Sequence, residues 1–139
     1  MNIPDTRILR YRNQSLDLLQ TAFTELRHGR WSRSEELIWG SLTLAVKGVA
    51  LSRGDILQEQ DHIQAYAESL GKERRDRRIR EAFTQLSNFS DAAERVRDAR
   101  YRVDRLTMML EDLSSAVEQL WELATHDDQD YRLQDDSTI

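Results

Sequence analysis

Cysteine is absent from this chain, which excludes disulfides, thiol nucleophiles and thiolate-held metals and is consistent with a reducing compartment. One proline (Pro4) and five glycines leave little to interrupt helices. Histidine is scarce at three residues, His28, His62 and His126. None has a second His, Asp or Glu at a metal-ligand spacing that stands out from a charge-rich helical background. Asp61 and His62 are adjacent rather than on one helix face, which reads as a cap beside a surface histidine. No glycine-rich phosphate loop appears, since Gly40 and Gly48 fall inside a helical stretch. No carboxylate pair is singled out for acid–base work. No apolar run approaches the about 20 residues of a membrane span, and the opening residues carry no apolar signal core. The expectation is a soluble, cytoplasmic chain with no metal, cofactor or membrane partner.

What remains is helix-forming and charged: 39% of the 139 residues are hydrophobic and 32% are charged. That length predicts one domain. So lean a core often completes its burial in an oligomer, and a homodimer is expected. The chain is organised around residues 34–54, SEELIWGSLTLAVKGVALSRG. Ten of the fifteen residues from Leu37 to Leu51 are Leu, Ile, Val, Ala or Trp, so this helix belongs in the middle of a bundle. At 100° per residue two narrow polar strips emerge. Ser34, Ser41, Ala45, Gly48 and Ser52 form a small-residue strip that lets a neighbouring helix come close. Glu36, Gly40, Thr43 and Lys47 lie within roughly 60° of one another. Lys47 has two readings, a lysine that snorkels or pairs with Glu36, or one lining a cleft that holds an anion.

Before this element, Thr6 to His28 forms an amphipathic helix with Ile8, Tyr11, Leu16, Leu19, Ala22, Phe23 and Leu26 on one face. Gly29 stops it, and Ser32 with Glu35 has the spacing of a capping box for the central helix. Gly54 closes that helix. Asp61 with Gln64 signals the next cap, for a short helix with Ile63, Tyr66, Ala67 and Leu70 buried and Gly71 as its stop. In KERRDRRIREAFTQL, Ile79, Ala82, Phe83 and Leu86 define the buried side. One helix from 74 to 125 would be roughly 75 Å long, too long for a compact bundle. A break is therefore expected at 87–91, with Ser90 as the new cap, or at Arg97 to Tyr101. From Val103 through Leu106, Leu110, Leu113, Val117 and Leu120 to Ala124 the heptad is unbroken and reads equally as internal seam or dimer seam. The domain is read as 1–126, after a short arm at 1–5, with 127–139 an acidic, flexible tail.

The net charge of −5 conceals segregation. Residues 72–105 carry eleven basic and seven acidic side chains, whereas 106–139 carry one and nine. Eighteen of the twenty basic residues are arginine, which suits bidentate contacts to carboxylate or phosphate. Lys72, Arg74, Arg75, Arg77 and Arg78, followed by Arg80, form a candidate basic face for a phosphate backbone. Arg95, Arg97, Arg100, Arg102 and Arg105 continue it. Against that, Asp91/Arg95 and Asp98/Arg102 have the i,i+4 spacing of a solvated salt-bridge face.

The central motif resembles the HEPN superfamily of small helical bundles, in particular its archaeal repetitive-element branch. The residues that carry this are Trp39-Gly40, Ala45-Val46-Lys47, Gly54, Asp61-His62 opening the next helix, and Asn88-Phe89 after a helix end. The resemblance spans roughly residues 27–90. It implies an all-α, four- or five-helix up-and-down bundle, commonly dimeric. Many members are ribonucleases or toxin-like, and others pair with a small nucleotidyltransferase. Nuclease members carry an arginine four to six residues before a histidine, and no histidine here has one. The resemblance therefore implies a non-catalytic binding module for RNA, a nucleotide or a nucleotidyltransferase-like partner. Glu36, Trp39, Thr43 and Lys47 would line its cleft, with His62 at the rim. The rival readings are a ribonuclease with a displaced site, built from His62 or His28 with arginines of 74–80, and a purely structural dimerisation module.

Overall fold

The computed structural model describes residues 6–137, with side chains through Ala124. The arm at 1–5, the His126 side chain and the side chains of the acidic tail lie outside the described residues. Every regular element among the described residues is a helix: α1 (Thr6–Arg27), α2 (Trp31–Ser52), α3 (Gln60–Arg74), α4 (Arg77–Arg80), α5 (Ala82–Arg95) and α6 (Ala99–Ser137). The chain is all-α, and one apolar core draws buried residues from all six helices.

Three of these helices end in the same way. After α1 the amide of Arg30 reaches the carbonyl of Glu25 at 2.9 Å, and after α2 that of Asp55 reaches Ala50 at 2.8 Å. After α3 the amide of Asp76 reaches Gly71 at 2.9 Å. Each is the six-to-one bond of a Schellman cap, which needs a left-handed residue at the turn. Gly29 (φ 76°) and Gly54 (φ 85°) supply it after α1 and α2, as their sequence positions predict. After α3 the residue is Arg75 at φ 54°. Gly71 is thus not the stop expected of it: α3 runs one turn further, and Gly71 lies where the backbone of Arg80 in α4 crosses with no room for a Cβ.

The remaining boundaries also differ from the sequence expectation. Helix α2 starts at Trp31 without a side-chain cap, because the turn at Gly29 delivers the chain straight into it. Ser32 therefore falls inside the first turn rather than capping it with Glu35, and Ser34 donates to the Ala22 carbonyl of α1 at 2.8 Å. Likewise α3 starts beyond Glu59, so Asp61 falls in its first turn rather than at the cap, where its charge still favours the helix N-terminus. No break occurs at 87–91. Ser87 and Asn88 face solvent while Leu86 and Phe89 are fully buried, so α5 runs through them and Asn88-Phe89 lies within a helix. The break falls at residues 96–98, where Asp98 Oδ1 accepts from the amide of Tyr101 at 3.0 Å and caps α6.

Helix α2 is the centre, with ten buried residues on a stretch that meets α1, α3, α5 and α6. Its small-residue strip admits two neighbours. Ser15 of α1 donates to the Ser41 carbonyl (2.8 Å) and Ser41 donates back to the Ser15 carbonyl (2.7 Å). Trp121 of α6 donates through Nε1 to Ser15 Oγ at 2.9 Å, and its ring occupies the space a Cβ on Gly48 would take. At the opposite end, Arg102 in the first turn of α6 lies 5.1 Å over the Trp31 ring at the start of α2. Helices α2 and α6 therefore run parallel. Antiparallel α1 flanks α2, and α5 returns from Phe83, edge-on to Trp39 at 5.5 Å, to the turn beside Arg102. Within this single chain Leu106, Leu110, Leu113, Val117, Leu120 and Ala124 are all buried. The heptad is an internal seam.

Candidate nucleic-acid interface

The five residues expected to line a cleft lie along α2 and at the start of α3, and none of them lines either of the two grooves described below. Glu36 is exposed and pairs with Arg33 at 3.4 Å rather than with Lys47. Trp39 is half-buried against Phe83. Thr43 is half-buried, its Oγ1 enclosed without a hydrogen-bond partner among the described residues. Lys47 is half-buried, with no ion pair among the described residues. His62 is exposed on α3, 3.8 Å from Glu59. It stands in the first turn of α3 and Arg74 in the last, about 18 Å apart along the axis, so the helix does not bring this histidine to the arginines of 74–80. His28 closes α1, with Nδ1 2.8 Å from the Thr24 carbonyl.

Two grooves lie elsewhere. One of about 990 Å³ runs between α1, α4 and α6, lined among others by Arg12, Asp76, Arg78, Glu118, Trp121 and Glu122. A smaller one of about 330 Å³ shares Arg78 and adds Arg77, Glu81 and Asp112. Both mix charges of opposite sign, which neutralises them as seats for a polyanion.

The expected basic face is neutralised in the same way. Lys72 pairs with Glu68 (3.3 Å), Arg77 with Glu81 (2.9 Å) and Arg78 with Asp112 (3.8 Å). The hydrogen bond from Arg77 holds the Glu81 carboxyl below the usual carboxylate range. Arg74 and Arg75 are exposed at the α3–α4 turn, where Arg75 takes up the left-handed conformation.

Arg10, Arg12 and Arg75 are also exposed without an ion pair among the described residues, but the denser group of such arginines stands at the other end of the molecule, where α1 gives way to α2 and α5 to α6. The expected pairs Asp91/Arg95 and Asp98/Arg102 do not form. Asp91 and Arg95 share α5 without pairing, while Asp98 is spent on the cap of α6 and Arg102 turns inward. Its Nε donates to the Val96 carbonyl at 2.7 Å while its guanidinium covers Trp31, pinning the α5–α6 turn to α2. Arg95, Arg97, Arg100 and Arg105 are exposed around that turn, and Arg27 is exposed at the end of α1. None of these five is ion-paired among the described residues. Arg30 and Arg33, nearby, are paired with Glu25 and Glu36.

Comparison with protein-family models, with curated proteins and with solved structures found no match. The site therefore rests on its own chemistry. Spacing alone weights all the arginines between 72 and 105 alike. The packed structure tells paired from unpaired, and the lapse of the three-four spacing at Arg100 is the sequence signal for the nearby break at 96–98. No group of three or more His, Cys, Asp or Glu side chains is arranged to hold a metal among the described residues, and no helix there is long and apolar enough to cross a membrane.

Proposed function

We propose that this chain is a non-catalytic binding module, a helical bundle of the kind its central motif resembles, and that its ligand is a nucleic acid, RNA foremost. The nucleic acid lies across the end of the bundle formed by the α1–α2 and α5–α6 turns. One observation carries this reading: Arg95, Arg97, Arg100 and Arg105 stand exposed at the α5–α6 turn and the helix ends beside it, with no intramolecular ion pair among the described residues. Arginine forks left in water are matched to phosphate oxygens, and each phosphate contact releases condensed counterions. The fixed turn supports the reading further, because Arg102 and Asp98 hold the backbone between the exposed arginines.

Purification without nuclease treatment, followed by absorbance at 260 nm, is the first test, and copurifying RNA is expected. The quantitative test is the salt dependence of binding to a labelled RNA. Replacing Arg95, Arg97, Arg100 and Arg105 by Gln should lower the slope of log K against log salt by about two to three. Replacing Arg77 and Arg78 by Gln, which removes paired arginines, should change it little. Equal effects of the two sets, or no binding at low salt, would refute the assignment.

The lean composition still favours self-association, but the heptad from Val103 to Ala124 is committed to the core, so a dimer would use another surface.

A further inference from the structure

The arginine-rich end also carries a large exposed aromatic ring. Tyr101 is 60% exposed, the first turn of α6 holds its backbone through Asp98, and Arg100 is its neighbour in sequence. Arg105 lies four residues on, on the same helix face. Arg97 emerges from the turn just before. A single exposed tyrosine is unremarkable on a protein surface. This one is set in a rigid turn among guanidinium groups that make no ion pairs among the described residues. That combination of π-face and free cations is what a single strand needs, with phosphates on the cations and a base on the ring.

We infer that the nucleic acid bound at this end is single-stranded and that Tyr101 stacks on one of its bases, an inference that rests on the function proposed above. Duplex bases are already stacked on one another and offer the ring no free face. The local acids argue the same way. Asp91, Glu94 and Asp104 are exposed among the arginines and would oppose the dense, rigid phosphate array of a duplex. A flexible strand can thread its phosphates past them. Tyr101 would thus supply strand-type selectivity while the arginines supply affinity.

The test uses the full chain and fluorescence anisotropy with two labelled probes, an unstructured oligouridylate and an RNA duplex of equal length, at several salt concentrations. The single strand should bind more tightly than the duplex. Tyr101→Ala should weaken single-strand binding about tenfold, since stacking persists at any salt, and leave the salt slope unchanged. Tyr101→Phe keeps the π-face and should bind as the unsubstituted chain does. Tyr101 is exposed, so neither variant removes a core contact, and circular dichroism checks the fold. If Tyr101→Ala binds the single strand as well as the unsubstituted chain while Arg97→Ala/Arg100→Ala weakens it, the stacking inference is wrong and the nucleic-acid reading stands. Duplex binding equal to or tighter than single-strand binding also overturns the inference. Failure of both probes to bind, with an acidic polypeptide captured instead, overturns both readings.

Discussion

Glycine at position 48 and arginine at position 75 pull in opposite directions. A Cβ at Gly48 would enter the ring of Trp121, and the ring is held by its bond to Ser15, so it has little freedom to retreat. Gly48→Ala is therefore expected to destabilise the fold by about 1–3 kcal/mol, the range for overpacking a filled core, despite alanine's better helix propensity. The urea midpoint would show it, and a midpoint shifted upward would mean the Trp121 site is loose. Arg75 is the reverse case, a residue with a Cβ in the left-handed position that Gly29 and Gly54 fill elsewhere. Because its side chain is exposed, Arg75→Gly should stabilise by about 0.5–1 kcal/mol by removing the steric cost of φ above zero. A rise of a few degrees in Tm is the expected reading. Neither effect is visible from residue type: five glycines look alike in a sequence, yet two cap helices and two make room for crossings.

Among the elements, α1, α2 and α6 are locked in register by one buried polar knot. Ser15 and Ser41 exchange hydroxyl bonds to each other's carbonyls, and Trp121 donates to Ser15 Oγ. The two serines do not contribute equally. Ser15→Ala strips the buried indole N–H of its acceptor and should cost about 1–3 kcal/mol, the penalty for an orphaned buried donor. Ser41→Ala leaves that acceptor in place and should cost less. Chemical denaturation of the two variants side by side decides this, and equal losses would mean the indole bond contributes nothing net. The small-residue strip announced a close helix approach in the sequence. That it receives helices from opposite ends of the chain, with Ser15 and Trp121 meeting across 106 residues, is information no local window contains. The same holds for the α5–α6 break: Ser87, Asn88 and Ser90 resemble a turn, but Ser87 and Asn88 belong to the wet face, and Ser90 is half-buried beside it, on an α5 whose Phe89 is fixed in the core.

For the whole molecule, the decisive partition is between surface spent inside the chain and surface left over. Leu106, Leu110, Leu113, Val117 and Leu120 are buried without a second copy, so the fold does not depend on dimerisation for its core. The unfolding midpoint should accordingly be independent of protein concentration between micromolar and hundreds of micromolar. A midpoint that climbs with concentration would point to a dimer that contributes to stability through another face. Charge divides similarly: arginines of the α3–α4 region are largely answered by acids, and those of the α5–α6 turn are left to solvent.

The sequence by itself determined the all-helical class, the central place of residues 34–54, the small-residue strip, the stops at Gly29 and Gly54 and the buried side of each main helix. These follow from local periodicity and turn chemistry, which need only neighbouring residues. Tertiary structure alone decided which way the heptad from Val103 to Ala124 faces, where the last long helix begins, and which arginines remain unpaired. The facing of the heptad depends on partners distant in the chain. Even local spacing does not settle pairing, since Arg77 and Glu81 pair at i,i+4 while Asp91 and Arg95 at the same spacing do not. Burial and charge neutralisation are properties of packed surfaces rather than of spacing.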